Sequence, residues 1–276
     1  MPELPEVETI TRLIRPRLEG RRIQGCEVRW TRTLGGLSRP AFARAVVGTR
    51  MSRVWRRGKF FVADLEHEGH AKGALVGHLR MTGRVNVEPD GWDPGPYLKV
   101  KLALDDGSSF YFIDVRKFAR LWYAREAADV LGPLGPEPLS SEFTADGFHT
   151  GLRARRRAMK PLLLDQDFVA GLGNIYVDES LFRAGIHPLA RSDRISRERA
   201  AKLHRAIRET LAEAIAREGS SFDVFYRTPE GNPGSFQDEF RVYGRKGKPC
   251  VACGAPIRRI VVGQRGTHLC TSCQRR

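Results

Sequence analysis

The sequence predicts an α+β fold in two domains. An N-terminal antiparallel β-sandwich, led by a single helix, precedes a helical bundle that ends in a cysteine-rich β-hairpin. Three observations predict this. Strand-like alternation runs from Ile23 to about Tyr123, a Pro/Gly run interrupts the chain at residues 132–138, and four of the five cysteines crowd into the last twenty-seven residues.

The opening segment, residues 3–19, reads as the helix. Val7, Ile10, Ile14 and Leu18 recur at helical spacing, Glu3, Glu6 and Glu8 crowd the first turn, Pro16 should kink the last turn, and Gly20 can end it. In the β region Leu98, Val100, Leu102 and Leu104 alternate with Lys99 and Lys101. Asp105-Asp106-Gly107 supplies a hairpin turn, and Phe110–Ile113 returns. Alternation of this kind gives an antiparallel sheet with a wet face. Beyond the Pro/Gly run the period lengthens. Lys160–Asp165 is expected as a short helix, and Val169-Ala170-Gly171-Leu172-Gly173 as a tight turn. Asn174 is expected as the N-cap of a helix carrying Tyr176, Leu181 and Phe182. A long helix from Ser196 buries Ala200, Leu203, Ile207, Leu211 and Ile215 and stops at Gly219. Residues 219–237, rich in Gly, Ser, Pro and Asn, read as a mobile loop. The resulting division is 1–134 for the β-sandwich, 135–150 for a linker, 151–240 for the helical domain and 241–276 for the cysteine-bearing segment.

Cys250 and Cys253 form one Cys-x-x-Cys pair, Cys270 and Cys273 another, with sixteen residues between them. Two such knuckles facing each other complete a tetrahedral thiolate set, which calls for one structural Zn2+. The residues between the pairs read as strand, turn and strand, so the ion is expected to hold a hairpin. With all four positions filled by cysteine, it has no open site for catalysis. Cys26 is left over and is given no role.

Net charge is +15, and residues 241–276 contain nine Lys or Arg and no Asp or Glu. Arg-Ala-Arg-Arg-Arg-Ala-Met-Lys at residues 153–160 forms a second basic cluster. Such surfaces suit a polyanion, most simply nucleic acid. Acids but no apolar run in the first twenty residues argue against a signal peptide, and no stretch reaches ~18 apolar residues, so no membrane partner is expected. The cytoplasm is the expected compartment. P-loop, dinucleotide and Gly-x-Ser-x-Gly fingerprints are absent from the sequence. His67 and His70 bracket Glu68 in an expected hairpin loop and read as solvated surface.

Pro2 is the most suggestive residue near the start. A small second residue permits removal of Met1 and would expose a secondary amine. An α-amino group, with a pKa of about 7.7–8.0, is far more often neutral at pH 7 than lysine. A neutral amine can attack an electrophilic carbon, and the adjacent Glu3 can move a proton. Proline and glutamate are equally ordinary at the start of a helix.

These pieces meet in a resemblance. Pro2-Glu3-Leu4-Pro5-Glu6-Val7-Glu8 resembles the opening of the formamidopyrimidine-DNA glycosylase family, bacterial base-excision repair enzymes. Arg56-Arg57-Gly58-Lys59, His78-Leu79-Arg80-Met81-Thr82-Gly83 and Asp114-Val115-Arg116-Lys117-Phe118 resemble its β-domain motifs in order. Lys160 through Pro188 resembles its helix-two-turn-helix. Gly234-Ser235-Phe236-Gln237, Val242-Tyr243-Gly244-Arg245 and Gln264-Arg265-Gly266-Thr267 complete the set across essentially the whole chain.

The resemblance implies a bifunctional glycosylase and AP lyase. Pro2 would attack C1′, Glu3 would move protons, Lys59 would assist β-elimination and hold a phosphate, and Arg265 would grip phosphates and assist δ-elimination. Asn174, Arg155 and Tyr243 would contact the DNA backbone. Met81, Arg116 and Phe118 would fill the gap left by an extruded base, though Met81 also reads as sheet core. Tyr97, whose hydroxyl keeps a hydrogen-bonding tip, would be a further DNA contact; it, Lys117, Ala119 and Leu269 stand where the family often has His, Arg, Gly and an aromatic residue. The implied substrate is double-stranded DNA bearing oxidised purines or abasic sites, met by a monomer in the bacterial nucleoid. Two alternatives stand beside it: an endonuclease VIII-type enzyme for oxidised pyrimidines, disfavoured by Leu4, and a zinc-dependent DNA-binding protein without catalysis.

Overall fold

The computed structural model describes residues 1–221 and 226–276. Two compact units emerge: one comprises residues 1–132 and 218–234, the other residues 133–217 and 235–276.

The first unit opens with α1 (Leu4–Leu18), whose Val7, Ile10, Ile14 and Leu18 are all buried; Pro16 lies inside its last turn. Strand β1 (Ile23–Val28) follows, then a 3-10 turn over Thr31–Leu34 and helix α2 (Arg39–Val46). Helix α2 corrects the expectation of continuous β structure from Ile23. Ser38 caps it by accepting a hydrogen bond from the Ala41 N–H, and Pro40 sits in its first turn. Next come β2 (Arg50–Arg57), β3 (Phe60–His67), β4 (His70–His78), β5 (Gly83–Pro89), β6 (Leu98–Leu104), β7 (Ser108–Asp114) and β8 (Arg120–Ala124), then the short α3 (Ala128–Leu131).

These strands form two four-stranded sheets, ordered β2-β3-β4-β8 and β1-β6-β7-β5, with every pairing antiparallel. Val54, Phe61, Leu75 and Leu121 from one sheet and Val85, Val100, Leu102 and Phe112 from the other share one core with α1. Each such side chain, fully buried, contributes about 1.5–3 kcal/mol relative to exposure. Glu68 and Gly69, both at positive φ, close the β3–β4 hairpin. His67 and His70 flank that turn, exposed and each bonded to a backbone carbonyl.

The second unit contains α4 (Ala145–Arg153), α5 (Met159–Leu163), α6 (Asn174–Ala184) and α7 (Arg197–Ala216), and ends in the hairpin β9 (Arg258–Val262) and β10 (Arg265–Leu269). Helix α7 begins at the Ser196 cap and buries Ala200, Leu203, Ile207 and Leu211; Ile215 is only half-buried, and Ala214 takes the inward position there. The N-cap of α6 is Gly173, not Asn174, which is the first helical residue and whose side chain is engaged elsewhere. Residues 222–225, within the expected loop at 219–237, lie outside the described residues.

Candidate active site and nucleic-acid interface

Pro2 and Glu3 are buried at the start of α1. The Glu3 N–H donates to Glu6 Oε2 at 2.8 Å, while Glu6 Oε1 accepts the Ser220 N–H at 2.8 Å. One buried carboxylate therefore ties the chain's beginning to a segment 214 residues away. The close approach demands glycine: a Cβ on Gly219, at φ +78°, would stand 2.8 Å from Glu6 Oε1, and one on Gly234 would stand 2.4 Å from the Gly219 carbonyl. Tyr226 enters the sandwich core and donates to the Glu218 carbonyl at 2.9 Å. Burial, and then the Glu6 charge, push its phenol above the ordinary range. The sequence displayed Glu6 only as a first-turn acid. Its spacing of three from Glu3, the form of a capping box, was the available signal.

Lys59 is buried in the β2–β3 turn. Arg56 fastens that turn: its Nε bonds Glu8 at 2.7 Å and its Nη1 donates to the Gly58 carbonyl at 2.9 Å. Burial alone would raise the Glu8 pKa, but hydrogen bonds and charge from Arg56, then Arg12, hold it below its usual value. His78 pairs across the sheet with Phe60 and meets its ring edge-to-face at 4.7 Å. Its Nδ1 accepts the Arg80 N–H at 2.9 Å, which leaves Nε2 to carry the imidazole proton. Burial, helped by the charges of Arg80 and Lys59, depresses its pKa to about 3. A neutral N–H donor thus stands beside Lys59, in a motif whose histidine the sequence left without a role.

Met81 and Phe118 are 37% and 48% exposed, so Met81 is not sheet core. Both rise from loops joined by the fully buried Asp114. Its carboxylate accepts from the Thr82 hydroxyl, from the Arg116 N–H at 3.1 Å and from the Ala119 N–H at 2.8 Å. Arg120 covers the acceptors of the same loop, donating to the Phe118 and Ala119 carbonyls at 3.1 Å. Arg116 lies against the Phe118 ring, 5.2 Å from its centroid. Lys117, between them, has φ +62°, a left-handed backbone that costs a non-glycine residue about 1–2 kcal/mol. Its Nζ lies 4.3 Å from the centroid of the Trp30 ring, a contact of comparable size, about 0.5–2 kcal/mol. Tyr97 is exposed, and its carbonyl accepts the Asp114 N–H at 3.0 Å.

In the second unit the hairpin is registered on α6. Lys160 and Asp178, both fully buried, pair at 2.7 Å. Lys160 Nζ also donates to the Gly266 carbonyl at 3.0 Å, and Asp178 Oδ2 accepts the His268 N–H at 2.8 Å. Asn174 Nδ2 reaches the same Gly266 carbonyl at 3.1 Å and the Tyr243 hydroxyl at 3.4 Å. A buried pair of this kind stabilises little in net terms but fixes geometry. Glu179 accepts the N–H groups of Arg241, Val242 and Tyr243. Burial raises its pKa against the pull of those three donors. Gly263 and Gln264, both at positive φ, make the two-residue hairpin turn, and Arg265 follows directly on β10. Arg155 lies over the Phe168 ring at 4.9 Å with its guanidinium exposed.

The sulfur atoms of Cys250, Cys253, Cys270 and Cys273 lie within 4.8 Å of one another, with two separations of 3.5 and 3.9 Å. Zn–S bonds of ~2.3 Å in a tetrahedron require S···S of roughly 3.8 Å, so the donor set fits one zinc ion. Gln274 steadies the second knuckle by accepting the Cys270 N–H and donating to the Ile186 carbonyl, both at 2.9 Å.

Three family models match this chain: the formamidopyrimidine-DNA glycosylase N-terminal domain over residues 1–121, its H2TH domain over 134–225, and the zinc finger found in FPG and IleRS over 247–276. A formamidopyrimidine-DNA glycosylase of Bacillus licheniformis is 41% identical over the full length of both chains. One from Thermus thermophilus is 44% identical over 99% of this chain and 98% of its own. The chain belongs to the formamidopyrimidine-DNA glycosylase family.

Solved structures of the family superpose closely. The MutM (Fpg) protein of Thermus thermophilus gives a TM-score of 0.87 at 43% identity, covering 99% of this chain and 98% of that one. The wild-type Lactococcus lactis Fpg in complex with DNA containing N7-benzyl-Fapy-dG gives 0.89 at 33% identity over all of both chains. A complex of the same bacterium's Fpg with abasic-site DNA gives 0.88 at 33% identity, covering 99% of this chain and all of that one. Against the usual family residues, Ala119 is buried and feeds its N–H to Asp114, Leu269 is fully buried, and Lys117 packs on Trp30.

Proposed function

We propose that this protein is a base-excision DNA glycosylase with AP lyase activity that removes oxidised purines, such as 8-oxoguanine and formamidopyrimidines, from double-stranded DNA. The N-terminus carries the reading: Pro2 and Glu3 are buried at the head of α1, and Glu6 fixes the Glu3 backbone. With Met1 in place the Pro2 nitrogen is an amide and cannot attack, so the reactive form is the processed chain. There the proline amine attacks C1′, the N-glycosidic bond breaks, and the base leaves with a proton that Glu3 helps deliver. The C1′–O4′ bond then opens as O4′ takes up a proton, giving an iminium that acidifies C2′, and successive β- and δ-eliminations release the 3′ and 5′ phosphates. Lys59 supports the first elimination and Arg265 the second. The base must first leave the stack, at a cost of a few kcal/mol. Met81, Arg116 and Phe118 take its place, while Arg155, Asn174 and Tyr243 hold phosphates.

Residues 1–134 are proposed as the catalytic domain, 135–150 as a linker, 151–240 as the helix-two-turn-helix domain and 241–276 as the finger. The site of action is the bacterial nucleoid. Borohydride should trap the processed protein covalently on an 8-oxoguanine duplex and less efficiently on one carrying an oxidised pyrimidine. Equal trapping of a Met1-retaining form would require a nucleophile other than Pro2. Preference for the pyrimidine would favour the endonuclease VIII-type reading.

A further inference from the structure

We propose that Trp30 is a positioning residue for base extrusion. Its indole braces Lys117 and so holds the intervening turn in the shape that presents Arg116 and Phe118 outward. The inference rests on the reading that these two side chains enter the base stack.

The placement of Trp30 does not depend on Lys117. The Arg29 N–H donates to the Lys99 carbonyl at 2.9 Å, the Thr33 N–H donates to the Trp30 carbonyl at 3.1 Å, and Gly35 packs so tightly on Trp122 that a Cβ there would lie 1.9 Å from the indole. The segment is thereby pinned on both sides of Trp30. Lys117 occupies a backbone region that a non-glycine side chain avoids, with φ +62°. That reversal turns the Lys117 side chain onto Trp30, with Nζ 4.3 Å from the ring centroid, while Arg116 and Phe118 on either side stay exposed and in contact with each other. Asp114 and Arg120 fix N–H and carbonyl groups of the turn, with Arg120 Nη1 also donating to the Lys117 carbonyl at 3.4 Å; these bonds go to backbone groups, not to the Lys117 ammonium. Arg120 thus holds the backbone of the residue at the centre of the turn, and the cation over the indole is the contact described for its side chain. The Trp30 Nε1 is buried without a hydrogen-bond partner among the described residues, so no described polar contact orients the ring. Its π face supplies the contact.

Trp30→Phe keeps a π face and removes the unpaired N–H, and Lys117→Arg keeps the cation. Trp30→Leu and Lys117→Gln each delete one half of the brace. The processed full-length protein is mixed with duplexes carrying 8-oxoguanine beside 2-aminopurine, whose fluorescence reports unstacking in stopped flow. Cleavage of the same duplex with a preformed abasic site, where no base must be extruded, is measured in parallel. Trp30→Leu and Lys117→Gln should slow unstacking and lower kcat/KM on the paired lesion by roughly 5- to 10-fold, the size of a lost cation–π contact. Cleavage at the abasic site should change less than about twofold on the same scale, and the two conservative variants should match the parent on both substrates. Equal losses on both substrates, or none on either for Lys117→Gln, would overturn the brace. A Phe118→Ala arm separates the two readings. If it leaves unstacking unchanged, the wedge itself is wrong; if it slows unstacking while Lys117→Gln does not, only the brace is.

Discussion

Individual side chains in this protein act by joining segments that are far apart in sequence. Glu6 is acceptor to Glu3 on one oxygen and to Ser220 on the other. In Glu6→Gln one of these positions becomes an NH2 facing an N–H, so a buried donor loses its partner, at a cost of about 1–3 kcal/mol. The variant should unfold at lower denaturant concentration and lose glycosylase activity. Unchanged stability would show that the two contacts do not matter energetically. His78 gives a prediction with a sign. In the folded chain it titrates near pH 3, and unfolded histidine titrates near ~6.5. Between those values the unfolded chain binds a proton that the folded one does not, so acid favours unfolding. The His78 contribution is intact above about pH 6.5 and falls by up to ~1.4 kcal/mol per unit as pH drops toward 3. Replacing His78→Gln should flatten the fall of the urea midpoint between roughly pH 6.5 and 4, because its amide does not titrate. An unaltered acid limb would assign that limb to other groups. None of this could be read from the sequence: Glu6 from Ser220 and Asp114 from Thr82 are separated by 214 and 32 residues. A polar residue's partner at such range leaves no local pattern.

Elements were legible where their pattern is local and long enough to repeat. The strands β6 and β7 announced themselves through alternation and an Asp-Gly turn, and α1 and α7 through buried residues recurring over several turns. Helix α2 did not, because eight residues bury only Phe42 and Val46, a single i,i+4 pair. The cysteine hairpin was legible because each knuckle is complete within four residues, and the structure brings the two together. What the sequence did not disclose is how the hairpin is fastened. Gly266 is held by Lys160 and Asn174, His268 by Asp178, and residues 241–243 by Glu179. The zinc knuckles and these α5 and α6 contacts are therefore separate supports for Arg265. Chelating the zinc should abolish DNA binding, measured by fluorescence anisotropy, before it disturbs the near-ultraviolet signal of the sandwich aromatics. Retention of tight lesion-DNA binding after zinc loss would mean that the α5 and α6 contacts alone position the hairpin.

At the scale of the molecule the net charge of +15 overstates the grip on DNA. Many arginines are already committed: Arg56 to Glu8, Arg157 to Asp165, Arg183 to Glu213 and Arg191 to Asp193. A cation whose charge is met by a carboxylate releases few counterions on binding phosphate. The expected phosphate contacts include three cations, Lys59, Arg155 and Arg265. At about −0.9 per neutralised phosphate, they give a slope of log K against log salt near −3, whereas engagement of the whole net charge would give roughly −14. Arg265→Ala should make the slope less steep by about one unit and weaken binding to lesion and undamaged duplexes alike. Arg191→Ala, which removes an exposed arginine already bonded to Asp193 at 2.7 Å, should leave the slope unchanged. Anisotropy titrations over roughly 50–200 mM salt measure all three. If Arg191→Ala reduced the slope as much as Arg265→Ala, the dependence would report overall charge, and Arg265 would lose its standing as a direct phosphate contact. If only Arg265→Ala does so, the hairpin that zinc, α5 and α6 hold in place is a point of attachment to the backbone.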